Sequence, residues 1–337
     1  GDLGEGWTGV QRCGKRGLDK VTVGVAVVGA GFWGKNHLRV LREVKGARVV
    51  GVCETDEKTA REVEAKYQIP VYSELEYVLS MDDVEAITVC TPTTTHYAIA
   101  RRALEARKHV LVEKPMTSTL QEAWEIIKLS EKMGAHLSVG FIERFNPAVH
   151  TLKNLIKEGA LGRIILLTAR RVTRWPERVG DVGVTKDSAI HDIDVMRYLM
   201  ESEVEEVYAR AGSLQHRFED FMEIMMRFEN GVVGFIDANW LTPRKTRHLI
   251  TTGIEATAML DYITQEVTIE DSEKSIRPKV EWSEPLKLEL QHFISSLEVG
   301  KKPYPNGVDG LKALEVCEAA LKSSRENRVV KISELKP

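Results

Sequence analysis

The chain is poor in cysteine. Cys13, Cys53, Cys90 and Cys317 are the only four in 337 residues, they lie far apart, and no two form a C-x-x-C pair. That spacing gives no sign of a disulfide framework or of a clustered thiolate metal site. Cys53 and Cys90 end apolar runs and read as small core residues of a reducing compartment. No apolar run reaches the length of a membrane span. Residues 1–20 have no hydrophobic stretch of the kind a secretory signal needs, so they are expected to form a flexible arm and the protein to be cytoplasmic. Excess charge is missing too. Lys and Arg number 47 against 50 Asp and Glu, a net charge of −3, and the basic residues are scattered. Neither nucleic acid nor a membrane surface is therefore indicated as a partner. Repeats and low-complexity segments are absent as well, and the length suits two domains with separate cores.

What is present begins at Val21. The segment VTVGVAVVGAGFWG joins a short β-branched run, residues 23–28, to the turn Gly29-Ala30-Gly31-Phe32-Trp33-Gly34 and then to a helical pattern. In a strand–turn–helix phosphate site the first glycine permits the tight turn. The second lets the backbone approach a pyrophosphate, and the third lets helix and strand pack closely. The helix N-terminus then faces the anion with unpaired N–H groups. A second apolar run, 47–53, ends in Glu54, about twenty residues on, where a carboxylate bonds the adenosine ribose. A carboxylate there repels a 2′-phosphate, so NAD is expected in preference to NADP.

Strand and helix patterns then alternate. Strands are expected at 23–28, 47–53, 86–90, 110–112 and 137–140, with helices at 34–45, 57–67, 73–80, 95–106 and 120–132. Ser73 is placed to cap the third of these helices. Such alternation implies right-handed crossovers and a parallel, doubly wound sheet whose ligands sit at the strand carboxyl ends. That rule selects the loops 29–34, 54–58, 91–96 and 113–116. Beyond a helix at 145–158 the pattern changes. A long strand at 162–171, a Pro/Gly-rich loop at 174–186 and a helix at 187–200 precede six strand-like runs between 204 and 270. Asn230-Gly231 marks a hairpin, and helices at 286–299 and 307–324 close the chain. The fold class is α/β: a parallel dinucleotide domain at 21–143, then an α+β domain at 144–337 carrying a large open antiparallel sheet. Its last helices are expected to pack back on the first domain. An apolar sheet face seeks cover, so a homodimer or homotetramer through that sheet is expected.

Three stretches carry chemistry. Thr91-Pro92-Thr93-Thr94-Thr95-His96 follows a strand directly. Its hydroxyls and amides suit a cofactor ribose or phosphate, and Thr94 or Thr95 suits a helix N-cap. Glu113-Lys114-Pro115 puts a lysine at the end of a buried strand, which is costly without a partner or a task. At a dinucleotide mouth, Lys114 can contact a substrate hydroxyl. Asp187-Ser-Ala-Ile-His191-Asp-Ile-Asp194 places Asp187 and His191 four apart on one helical face. No further His/Cys cluster is near, so no metal is expected.

Taken together, Gly29–Gly34, Glu113-Lys114-Pro115 and Asp187-x-Ala189-x-His191-x-x-Asp194 resemble the Gfo/Idh/MocA oxidoreductases (glucose–fructose oxidoreductase, inositol dehydrogenase and relatives). The motifs stand in family order over residues 21–335. Ala189 stands where many members have glycine, and the Thr-rich loop where many have asparagine. The resemblance implies a dinucleotide domain and an open-sheet domain with NAD(P) between them. It implies a catalytic set of Lys114, Asp187 and His191. The implied cofactor contacts are Gly29, Gly31, Phe32, Trp33, Gly34, Glu54, Thr91, Pro92, Thr94, His96, Glu113 and Lys114. Phe141-Ile-Glu-Arg144-Phe145-Asn146-Pro147, Ala169-Arg170-Arg171 and Asp181-Val-Gly-Val further resemble members that oxidise C3 of UDP-N-acetylglucosamine or its uronic acid, although Trp175-Pro176 replaces an expected Phe-Pro-Pro-like segment. That narrower resemblance implies substrate contacts at Lys114, Arg144, Asn146, Arg171, Lys186 and His191. The implied activity is oxidation of a sugar hydroxyl with NAD. The alternatives are a dehydrogenase of free inositol or an aldose, and a non-catalytic NAD-binding regulator.

Overall fold

A computed structural model of the chain describes residues 22–174 and 180–335. Cys13, the 1–20 arm and Trp175-Pro176 lie outside the described residues. The first domain alternates β1 (Val23–Val28), α1 (Phe32–Leu41), β2 (Ala47–Cys53), α2 (Glu57–Tyr67), β3 (Val71–Tyr72), α3 (Leu75–Ser80), β4 (Ala86–Val89), α4 (Thr93–Glu105), β5 (His109–Glu113), α5 (Leu120–Met133) and β6 (Leu137–Gly140). The six strands form one sheet in the order β3-β2-β1-β4-β5-β6, with every pairing parallel. All six residues of β1 are buried, as a strand covered by helices on both faces requires. Local chemistry sets the helix ends. Asp56 accepts a bond from Thr59 N, and Thr119 and Glu122 form a capping box on α5. The helix expected at 73–80 begins at Leu75 instead. Glu74 is its N-cap and Ser73 does not cap it, because Val71 and Tyr72 are held as an edge strand against β2.

The second domain holds α6 (Pro147–Lys157), β7 (Ile164–Arg174), α7 (Ile190–Met200), β8 (Val204–Gly212), β9 (Phe221–Phe228), β10 (Val233–Asn239), β11 (Leu241–Gly253), β12 (Thr257–Asp261), β13 (Glu266–Glu270), β14 (Ser275–Ile276), α8 (Pro285–Glu298), α9 (Gly307–Glu326) and β15 (Val330–Lys331). Its nine-stranded sheet runs β14-β13-β12-β11-β7-β10-β9-β8-β15. The sheet is mixed, not wholly antiparallel, because β10 pairs β7 in parallel. The turn at Asn230-Gly231 joins β9 to β10, with Gly231 at φ +85. On the inner face Leu167, Ala169, Ile224, Ile236 and Leu249 pack with Ile193, Met196 and Leu314 in one core that extends into the first domain. Helix α8 returns to the first domain, where Leu286, Leu290, Phe293 and Ile294 pack with Val25, Leu38 and Leu41.

Two departures bear on the site. The helix expected from Phe145 begins at Pro147, after a 3₁₀ turn at Ile142–Phe145. The helix expected at 187–200 opens with a π turn, Thr185–Ala189, in which Ile190 N bonds Thr185 O. Such widened turns recur at functional sites.

Candidate active site

The glycine turn has the geometry of a phosphate cradle. Gly29 sits at φ +85, and a Cβ there would press on the Thr91 backbone N at 3.0 Å. A Cβ on Gly34 would lie 1.8 Å from the Gly29 carbonyl oxygen, so only glycine lets α1 pack on the turn. A Cβ on Gly31 would meet nothing within 4 Å, so the open side of the turn is at Gly31. Gly31 is also the N-cap of α1 and provides no side-chain cap, which leaves first-turn N–H groups available to an anion. The residues thus fit a pyrophosphate, and NAD is the group they would hold.

Three adjoining cavities follow from this turn. The first, about 570 Å³, is lined by Gly29, Gly31, Glu54, Thr55, Asp56 and Arg102 among others. Glu54 Oε2 accepts a bond from Ala30 N at 2.7 Å and Oε1 one from Asp56 N at 2.9 Å, which fixes the carboxylate over the turn. The second, about 240 Å³, shares Gly31, Cys90, Thr91 and Pro92 with the first, and adds Phe32, Trp33, Thr93, His96, Glu113, Lys114, Asp181 and Asp187. The third, also about 240 Å³, shares Trp33, Lys114 and Asp187 with the second and reaches Asn146, Arg171, His191, Arg247, Tyr262 and Trp282. All four loops at the strand ends contribute to the first two cavities. A further cavity of about 610 Å³, beside Ile156 and Val232, has Arg163 as its one charged side chain and lacks acid–base groups.

The strand-end residues are held from behind. His37, fully buried, lies with Nε2 2.9 Å from Glu113 Oε1. Burial opposes its charged form, but Cys90 and Glu113 outweigh burial and hold the imidazole well above its ordinary value. His96 Nδ1 is 2.8 Å from Pro115 O and Nε2 is 2.9 Å from Thr91 O, so one ring ties two of the loops together. Burial lowers its pKa, against the pull of those two carbonyls. Lys114, buried and followed by a cis peptide bond to Pro115, donates to Asp187 Oδ1 at 2.9 Å and to Asp187 O at 2.7 Å. The lysine belongs to the first domain and the aspartate to the π turn of the second. Ser188 Oγ also donates to Asp187 Oδ2, at 3.2 Å.

Lys114, Asp187 and His191 thus line one cavity, together with Asn146 and Arg171. Asn146 caps α6 through Ala148 N and donates to Tyr262 O at 3.0 Å, so it is both a cavity wall and a strut. Arg171 donates to Asp192 Oδ2 at 2.6 Å and Glu143 Oε1 at 3.0 Å, and stacks on Tyr262 with 4.8 Å to the ring centroid.

Three expected contacts are corrected. Arg144 does not line the cavity. Its guanidinium donates to Asp194 at 2.7 and 2.6 Å and to Asp309 at 2.9 Å, a buried fork that joins the 3₁₀ turn to α7 and α9. Lys186 turns to α9, where it pairs with Glu318 at 2.5 Å and donates to Ser118 O at 2.9 Å. Thr94 is exposed in the first turn of α4 and lines none of the three cavities. Pro92, not Thr94 or Thr95, is the N-cap, so Thr93 faces the cleft, its N–H bonded to Asp181 Oδ2 at 2.7 Å. Arg247, Tyr262 and Trp282 line the cavity although no sequence motif marks them. Arg247 carried one readable signal: it stands in phase with buried Leu249, a charge at a core-facing strand position.

Comparison with known proteins agrees with this fold. Residues 23–141 match GFO_IDH_MocA, the oxidoreductase family with an NAD-binding Rossmann fold, and residues 149–259 match the GFO/IDH/MocA C-terminal domain. The chain is 30% identical over 327 residues to the scyllo-inositol 2-dehydrogenase (NAD(+)) of Bacillus subtilis, covering 91% of this chain and 95% of that one. It is 27% identical to the myo-inositol 2-dehydrogenase of Thermotoga maritima, covering 92% and 99%. The fold matches UDP-N-acetylglucosamine 3-dehydrogenase GnnA of Acidithiobacillus ferrooxidans with a TM-score of 0.84, at 23% identity over 91% and 99% of the two chains.

Proposed function

The chain belongs to the GFO/IDH/MocA oxidoreductases, NAD-binding dehydrogenases that act on sugar-type hydroxyls, and we propose that Lys114 and His191 carry the chemistry in this member, on one secondary hydroxyl of a ring polyol. The observation behind this reading is that the two side chains line one cavity adjoining the glycine-turn cleft. An ammonium has three donors. Asp187 takes two of those on Lys114, and the third is available to the substrate oxygen. That charge stabilises the alkoxide as His191 accepts the hydroxyl proton. Asp187 acts through Lys114, holding the ammonium at the cavity wall. NAD, when bound, accepts the hydride from the substrate carbon.

For the substrate we keep the reading of a sugar or nucleotide-sugar, with C3 of a UDP-N-acetylhexosamine or its uronic acid first. Arg171, Arg247 and exposed Trp282 on the cavity support it, since guanidinium groups suit carboxylate and phosphate oxygens. A free cyclitol is the second reading, supported by the identity to inositol dehydrogenases. A screen at 340 nm across UDP-sugars, inositols and aldoses, with NAD and NADP in parallel, tests both. NADH formation from inositol without any need for UDP decides for the cyclitol. NAD binding with no turnover on any polyol removes the catalytic reading.

We also propose a homodimer or homotetramer formed through the outer sheet face. There Met225, Phe235, Thr168, Ile250 and Met259 form one cross-strand row, with Met225, Phe235 and Met259 exposed. A parallel row, Arg210, Glu223, Asp237, Arg170, His248 and Asp261, carries both signs of charge and gives a second copy both an apolar strip and ion-pair partners.

A further inference from the structure

The inner face of the second sheet along β7 and β11 carries Leu167, Ala169, Leu249 and buried Thr251 up to the cavity, where Arg247 stands directly opposite Arg171 in the strand register. Like charges directly opposed across a strand pair are destabilising. The two arginines are not equally compensated. Arg171 is held by Asp192 and by Glu143 at 3.0 Å. Among the described residues, Glu143 is the one carboxylate within ion-pair distance of Arg247, at 3.7 Å, with no hydrogen bond from the guanidinium to it, while Asp192 and Asp187 act on it from farther off. Its side chain is 35% exposed, and it lines the same cavity as Lys114 and His191. Trp282, 67% exposed, borders that cavity too.

A guanidinium has five donors in a rigid fork. Placing one against another cation, with a distant and shared counter-ion, is a cost that an unliganded fold has no reason to keep; such conflicts mark functional sites. We propose that Arg247 is a specificity-determining residue that binds an oxyanion, carboxylate or phosphate, borne by the substrate ring, with the Trp282 indole lying against the substrate beside it. The inference rests on the reading of the cavity as a ring-polyol site and narrows it to anionic substrates. Burial, and next the charge of Arg171, lower the pKa of Arg247, while Glu143, Asp192 and Asp187 oppose them without reversing the shift. An arriving oxyanion relieves that strain.

The test is binding to the NADH-loaded protein, read by calorimetry with D-glucuronate, D-glucose 1-phosphate and D-glucose as probes. At least one anionic probe is expected to bind about ten-fold or more tightly than glucose, as a charged hydrogen-bond partner gives. The probe that gains identifies the group as carboxylate or phosphate. Arg247→Gln is expected to bring the preference close to one. Arg247→Lys, which keeps the charge but loses the fork, should keep part of it. Because the substitution relieves the opposition to Arg171, Arg247→Gln should melt no lower than the parent protein. Equal binding of all three probes, a preference that survives in Arg247→Gln, or a clear fall in Tm each overturn the proposal. If the preference is intact but no polyol yields NADH, Arg247 keeps this role and the dehydrogenase reading fails. If NADH forms but the preference is absent, the reverse holds.

Discussion

Lys114 crosses the crevice to Asp187, with its Nζ 2.9 Å from the carboxylate and 2.7 Å from the carbonyl of the same residue. One end of this pair directly follows β5, and the other lies in the π turn ahead of α7. The pair therefore lines the candidate cavity and ties an element of the parallel-sheet region to one beside the second sheet.

Removing either member of the proposed acid–base couple tests its role. Lys114→Ala and His191→Ala should each lower turnover by roughly 10²–10⁴-fold, while NADH affinity, followed by fluorescence, changes little. Turnover at the parent level in either variant would remove that residue from the chemistry. Lys114→Ala also removes two charge-assisted hydrogen bonds to Asp187, so a loss of roughly 1.5–3 kcal/mol in denaturant unfolding is expected. Part of that loss should return in Lys114→Met/Asp187→Asn.

The glycine turn separates binding from folding. A Cβ on Gly31 meets no protein atom, so Gly31→Ala should keep its Tm and lose NAD affinity. Gly34→Ala forces a Cβ to 1.8 Å from Gly29 O, so it should lose about 1–3 kcal/mol or more of stability as well. Calorimetric titration with NADH beside thermal melts distinguishes the two. Equal stability losses in both variants would argue against an open phosphate cradle at Gly31.

Glu289 of α8 is fully buried, and neither carboxylate oxygen has a hydrogen-bond partner among the described residues. Burial, with the charge of Glu113 next, raises its pKa well above 4.5. A carboxyl group with a raised folded pKa binds more protons folded than unfolded. Its contribution is therefore complete below pH 4.5 and declines as pH rises toward the folded value. Glu289→Gln should match the parent protein near pH 4.5 and gain on it at higher pH, by up to about 1.4 kcal/mol per pH unit. Parallel pH–stability curves for the two proteins would show that Glu289 ionises freely in the fold.

The outer sheet face gives a prediction on assembly. Phe235→Asp or Met225→Asp puts a charge in the apolar row, beside Asp237 and Glu223. Sedimentation should then show monomer, with NADH binding preserved. Burial, reinforced by Asp237, raises Glu223 to about 7. Association should accordingly weaken as pH rises through about 7 and this carboxyl gains charge next to Asp237. An oligomer indifferent to both substitutions would place the interface elsewhere.

The sequence alone determined the parts whose signal is local. A buried β-branched run, three spaced glycines and a strand-end acid describe one strand–turn–helix unit, and the chemistry of each is a property of its own backbone. Glu113-Lys114-Pro115 is legible because a charge at the end of an apolar run needs a task, and the Asp187–Asp194 segment because Asp187 and His191 stand four apart on one helical face. The tertiary structure decided which cations face the cavity. Arg144, Arg171, Lys186 and Arg247 are all long cationic side chains, and residue type alone does not tell which carboxylate each meets. The first is taken by Asp194 and Asp309 and the third by Glu318, while strand register sets Arg171 against Arg247 across the cavity wall. These partners come from elements distant along the chain. A long charged side chain goes where its counter-charge lies, and only the packed sheet and helices fix that place.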